Sequence, residues 1–111
     1  MKNLYSSEDY HWALFMGHLV VEKLLKGYYV KNVAERVPFT HDLLRLAKAA
    51  ALEVDADMSN QLDLFTTFNI NSRYPDYKQQ FYKMCTQEYA KERINEIEGV
   101  REWLKLMISK Q

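Results

Sequence analysis

The sequence predicts an all-α protein, an up-and-down helical bundle of four main helices, with one further stretch open between a short fifth helix and an ordered loop. Only two prolines and three glycines occur in 111 residues, too few turn-formers for a many-stranded protein. Four segments carry apolar residues at three- and four-residue spacing, the period of a helix with one buried face. The length suits one domain, residues 1–111, able to remove about two-thirds of its unfolded surface from water.

The first helix opens at Ser6 and Ser7, where a hydroxyl takes up a free N–H, and Glu8 and Asp9 put acids at the positive end of the helix. Ala13, Met16, Val20, Leu24 and Tyr28 then form an apolar stripe, widened by Gly17, Val21 and Leu25, to about Lys31. Gly17 marks a close helix crossing, and Gly27 either a second one or a binding surface. Glu22 and Lys26 are four apart and read as a surface pair worth a few tenths of a kcal/mol. After a connection over residues 32–39, Thr40 is placed as the cap of a second helix. His41 and Asp42 fall in its first turn, and Leu43, Leu46, Ala47 and Ala50 on its buried side. The positive end of a helix disfavours a cationic imidazole, so His41 reads as a neutral hydrogen-bonding group.

A link around Glu53 to Ala56 leads to a third helix, roughly 57–71, with Leu62, Phe65 and Phe68 or Asn69 on its apolar side. Pro75 lacks an N–H and pushes Tyr74 into an extended conformation, so this helix ends near Arg73. Residues 77–85 are the open stretch. Thr86, with Glu88 in the first turn, starts the last helix, whose stripe is Ala90, Ile94, Ile97, Leu104 and Met107, broadened by Val100, Trp103 and Ile108. Its alternating charges read as a solvated face. Trp12, Phe15 and Trp103 fall off the main stripes, and this surplus of apolar surface is a reason to expect a homodimer.

Fifteen basic and fifteen acidic residues cancel, so there is no general attraction to polyanions or anionic membranes, and any such contact is local. The start, residues 1–9, has no apolar core of the length a signal peptide needs, and the longest uncharged apolar run, Trp12 to Val21, is too short to span a bilayer, which points to a cytoplasmic protein. Cys85 is the one cysteine; with no histidine near it in sequence, it reads as a core or half-buried thiol. His11 and His18 are seven apart, not the four of a helical metal pair, and neither a metal nor a cofactor is expected.

The run from Asn71 to Asp76 combines a helix stop, a fixed cation and a cluster of polar groups. Arg73 there either caps the helix and pairs with Asp76, or presents its guanidinium to a phosphate or carboxylate. Tyr74, Tyr77, Tyr82 and Tyr89, with Lys78 and Lys83, are either core and dimer contacts or stacking partners for a base.

Three pieces stand in order: Glu22-Lys23-Leu24-Leu25-Lys26-Gly27, Pro38-Phe39-Thr40-His41-Asp42-Leu43, and Ser72-Arg73-Tyr74-Pro75-Asp76. Together they resemble a HEPN domain (higher eukaryotes and prokaryotes nucleotide-binding) of the small stand-alone prokaryotic kind. The resemblance implies a HEPN-like bundle that dimerises and is partnered by a minimal nucleotidyltransferase in a two-component, toxin-antitoxin-like system. It implies a nucleotide-binding module in which Arg73 contacts phosphate, Lys23 or Lys26 adds charge, Tyr74 or Tyr77 stacks on the base and Asp76 orients Arg73, with His41 nearby. HEPN ribonucleases place a histidine four to six residues after the arginine. Here Lys78, Gln79 and Gln80 follow Arg73 at that interval, and none of them exchanges a proton readily near neutral pH. A ribonuclease with a substituted site, built from Arg73 with His41 or Tyr77, is therefore the alternative expectation, and a purely structural dimeric adaptor the third.

Overall fold

A computed structural model describes residues 10–110, and the predicted helix start at Ser6 to Asp9 lies outside them. Among the described residues the chain forms five helices: α1 (Tyr10–Asn32), α2 (Leu43–Ala49), α3 (Ala56–Arg73), α4 (Pro75–Met84) and α5 (Gln87–Ser109). The architecture is an all-α bundle. The open stretch after Pro75 is helical, and the proline is the reason: it stands at the start of α4, where a missing N–H costs nothing.

Helix α1 is the central element and packs on α5, α3 and α2. Gly17 faces Ile97, so close that a Cβ on Gly17 would stand 2.5 Å from Ile97 Cδ1; the predicted close crossing is that of α1 with α5. Lys31 Nζ donates to the Ile108 carbonyl near the other end of both helices, so α1 and α5 run in the same direction. Helix α3 packs mainly on α1. Its Phe65 and Phe68 are fully buried, and Phe68 stacks on Phe81 of α4 at 5.7 Å between centroids.

The predicted buried sides of α2 and α3 are the observed ones, with both Phe68 and Asn69 inside. In α5, Thr86 accepts from the Tyr89 N–H as expected, and Ala90, Ile94, Ile97, Val100 and Leu104 are buried. Three expectations need correction. The cap of α2 is Asp42, whose carboxylate accepts from the Arg45 N–H at 3.2 Å, while Thr40 Oγ1 accepts from Asp42 N–H one turn earlier. His41 thus precedes the helix instead of lying in its first turn. Gly27 has open space where a Cβ would be and makes no close crossing.

The third correction concerns α1. Its buried face is His11, Ala13, Leu14, Gly17, His18, Val21, Glu22 and Leu25, whereas Met16 is exposed and Val20, Leu24 and Tyr28 are half-buried. The face is rotated because two polar residues, His18 and Glu22, are held inside the fold by hydrogen bonds to the His41 carbonyl, Lys26 and the His41 ring, and a reading that turns polar residues outward places the stripe elsewhere.

Candidate functional site

The rotation of α1 turns Glu22 inward, leaving 7% of its side chain exposed. A carboxylate in such a place needs partners for both oxygens. Oε2 accepts from Lys26 Nζ at 2.8 Å, one turn along the helix, and Oε1 accepts from His41 Nδ1 at 2.9 Å. Burial pushes the Glu22 carboxyl toward protonation, but the hydrogen bonds and charges of Lys26 and His41 outweigh it and hold its pKa below the usual value.

His18 completes the cluster. Its side chain is fully buried, with Nε2 3.6 Å from Glu22 Oε1. The same nitrogen donates to the main-chain carbonyl of His41 at 3.0 Å. A carbonyl only accepts, so Nε2 carries the proton and Nδ1 the lone pair, and that buried Nδ1 has no hydrogen-bond partner. Burial lowers the pKa of His18, against the opposing pull of the backbone hydrogen bond and of Glu22. His18 is therefore a neutral strut under His41.

The connection over residues 33–42 is fixed from below as well. Thr66 of α3 accepts the Leu43 N–H at 3.0 Å and donates to the Leu62 carbonyl at 2.9 Å. His41 is thus held at its backbone by His18 and at its ring by Glu22, while 45% of its side chain remains open to solvent. Nδ1–H donates to the ionised Glu22 carboxylate, which fixes the ring while the side chain stays open to solvent. Beside it stands Phe39, 99% exposed, with its ring centroid 6.3 Å from that of His41. Lys23 is exposed and lies one turn from Lys26 on α1.

A second polar surface lies at the α3–α4 corner. Helix α3 ends at Arg73 as predicted, and Tyr74 is extended at φ −104° and ψ 123°, serving as the last cap of α3 and the first of α4. Arg73, Tyr74, Asp76 and Tyr77 are all exposed, as are Lys78, Gln79 and Gln80. Among the described residues no ion pair joins Arg73 to Asp76, so the expected orientation of Arg73 by that carboxylate is not seen.

The residues singled out in the sequence therefore divide. Lys26 and His41 meet on Glu22, with Lys23 alongside, whereas Arg73, Tyr74, Asp76 and Tyr77 form a separate corner. Arg73 lies two helical turns beyond Thr66, about 10 Å along α3 from the contact that anchors the His41 connection. Sequence reasoning missed Glu22, His18 and Phe39. The spacing of His11, Leu14, His18, Val21 and Leu25 was the available signal, because it places two histidines in line with apolar core positions.

Cys85 is buried, and burial pushes its thiol up to about 12, which removes it from nucleophilic chemistry. Among the described residues no group of three histidine, cysteine or acidic side chains has the geometry of a metal site, and no helix is long and apolar enough to cross a membrane.

Comparison with curated proteins and with solved structures finds no match. A family model does match: that of the HEPN domain, over residues 1–107 of the 111-residue chain. The match covers nearly the whole chain, and the chain belongs to the HEPN domain family.

Proposed function

We propose that this protein is a cytoplasmic nucleotide-binding interaction module that works as a homodimer beside a minimal nucleotidyltransferase, in a two-component, toxin-antitoxin-like system. Membership of the HEPN family supports a nucleotide-binding or ribonuclease-like module. The observation that carries the binding reading is the cluster on Glu22. It places an imidazole, an ammonium group and an almost fully exposed phenyl ring at one solvent-facing spot, the combination that recognises a phosphate and a base together. Lys26 Nζ spends one N–H on Glu22 and has others for a phosphate oxygen.

Arg73, Tyr74 and Tyr77 then form a second contact surface, suited to the partner protein: a guanidinium with no ion-pair partner among the described residues, flanked by exposed phenols. Trp12 and Met16 are exposed apolar side chains on α1 that a second copy of the chain would cover.

The test is a thermal melt of wild type, His41→Ala and Arg73→Ala against ATP, GTP, other nucleotides and short RNA, with sedimentation equilibrium for the oligomeric state. A ligand at a hundred times its dissociation constant adds about 2.7 kcal/mol, a shift of roughly 10 °C or more. The reading expects a shift lost in His41→Ala; no shift with any nucleotide or RNA contradicts it.

A further inference from the structure

We propose that the group held at the Glu22–His41 cluster is a terminal, dianionic phosphate of a nucleotide, not an internal phosphodiester, and that His41 binds it as an imidazolium, so that binding takes up a proton from solvent. This rests on the reading of the cluster as a nucleotide site and deepens it, naming the kind of phosphate the site takes and the condition that regulates it.

The hydrogen bonds of His41 carry the argument. Its Nδ1–H donates to Glu22 Oε1 at 2.9 Å, so a neutral ring has its one proton there and only a lone pair on Nε2. A phosphate oxygen is also an acceptor, and two acceptors repel. The ring holds a phosphate only with a second proton on Nε2. That nitrogen has no hydrogen-bond partner among the described residues, and 45% of the side chain is open to solvent. In the complex the imidazolium stands between two anions, the phosphate on one side and Glu22 on the other, which stays ionised despite its burial because Lys26 and His41 hold it.

The charged and titratable groups that meet His41 come from α1. They are Glu22, Lys26 on the other Glu22 oxygen at 2.8 Å, and His18, whose Nε2 donates to the His41 carbonyl at 3.0 Å. His18 is fully buried, and burial keeps it neutral. From α3 the connection meets Thr66, which does not titrate. Of the two imidazoles, His41 is thus the one that can gain a charge at the surface.

The charge count selects the ligand. With His41 protonated, Lys23, Lys26 and His41 against Glu22 leave two positive charges at this spot. A terminal phosphate carries two negative charges above its second pKa of about 6, whereas an internal phosphodiester carries one. The terminal group matches the cluster, and the diester leaves it with an excess of positive charge. Because the complex holds one proton more than the free partners, affinity rises as pH falls through the neutral range. It falls again once the phosphate takes up a proton and loses its second charge, so the profile is bell-shaped.

The experiment is titration calorimetry of the wild-type protein with AMP and with 3′,5′-cyclic AMP, whose phosphate is a diester, in buffers of different ionisation enthalpy. At about pH 7.5 the phosphate of AMP is already mostly dianionic and adds little titration of its own. The AMP enthalpy is expected to change with the buffer, reporting net proton uptake, and AMP to bind about tenfold or more tighter than the cyclic ester. In His41→Asn, which keeps an N–H for Glu22 but has no titrating ring, the buffer dependence disappears and the preference for AMP shrinks. A melt checks the folding of that variant, and the buffer comparison on wild type carries the test without it. AMP binding with the same enthalpy in every buffer, or the cyclic ester binding as tightly as AMP, overturns this proposal and leaves the nucleotide reading intact. Absence of binding by both ligands counts against both readings.

Discussion

Glu22 Oε1 and His41 Nδ1 stand 2.9 Å apart across 19 residues of chain, joining the buried face of α1 to the loop that precedes α2. The same carboxylate holds Lys26 through its other oxygen. One buried acid thus organises an ammonium group and an imidazole from different parts of the sequence, at a spot that opens to solvent.

Removing that charge should cost stability. Glu22→Gln leaves Lys26 and His41 without an ionised acceptor and is expected to destabilise the fold by about 1–3 kcal/mol. For a chain of this length that is a loss of roughly 5–15 °C in Tm, read by differential scanning calorimetry.

His18 gives the fold a defined response to acid. Its pKa is lowered from 6.5 in the folded state, so below 6.5 the unfolded chain takes up a proton that the native chain refuses. The unfolded state then binds more protons, and stability falls as pH drops. Glu22, lowered from 4.5, adds a second loss as the pH falls below that value toward its folded pKa. Urea titrations should show wild type weakening between pH 7 and 5, whereas His18→Gln, which keeps a donor to the His41 carbonyl but does not titrate, should be flatter over that window.

Gly17 and Gly27 should respond to alanine in opposite ways. A Cβ at 17 meets Ile97 in the α1–α5 crossing at 2.5 Å and 3.3 Å, and Ile97 is fully buried. Gly17→Ala is expected to cost about 1–3 kcal/mol. Gly27 is exposed with nothing within 4 Å, so Gly27→Ala should stabilise by about 0.5–1 kcal/mol through helix propensity and lost chain entropy. Chemical denaturation of the two variants side by side measures the contrast.

Arg73→Ala should leave stability within about 0.5 kcal/mol of wild type, since the guanidinium is exposed and has no ion-pair partner among the described residues. A structural adaptor whose Arg73 fixed the turn through a buried carboxylate would instead lose about 1–3 kcal/mol. A melt of the variant separates the two. With stability unchanged, any effect of this substitution on partner binding reports contact with Arg73.

Much of this architecture was legible because apolar spacing and punctuation agree. Leu43, Leu46 and Ala47 in α2 and Ile94, Ile97 and Leu104 in α5 are buried where their periodicity places them, and Pro75 sets the boundary between α3 and α4. The site was less legible, since burial of an ion pair is a tertiary fact. Glu22 and Lys26 read as an ordinary surface pair because their spacing along the helix is the same either way. The arrival of His41 from beyond the helix gives the second oxygen of Glu22 its partner, beside the one that Lys26 already holds. Phe39 gives no periodic signal, lying in a connection where its exposure depends on how residues 33–42 cross α1.

The most direct measurement is an NMR titration of the imidazole nitrogens and amide groups with ATP. If the account holds, His41 Nε2 and the amides of Phe39, Lys23 and Lys26 shift together on a single saturating curve, while those of Arg73 to Lys78 stay in place. Shifts confined to Arg73, Tyr74 and Tyr77, or no shift at any ligand concentration, would contradict the assignment of the nucleotide site to the Glu22–His41 cluster.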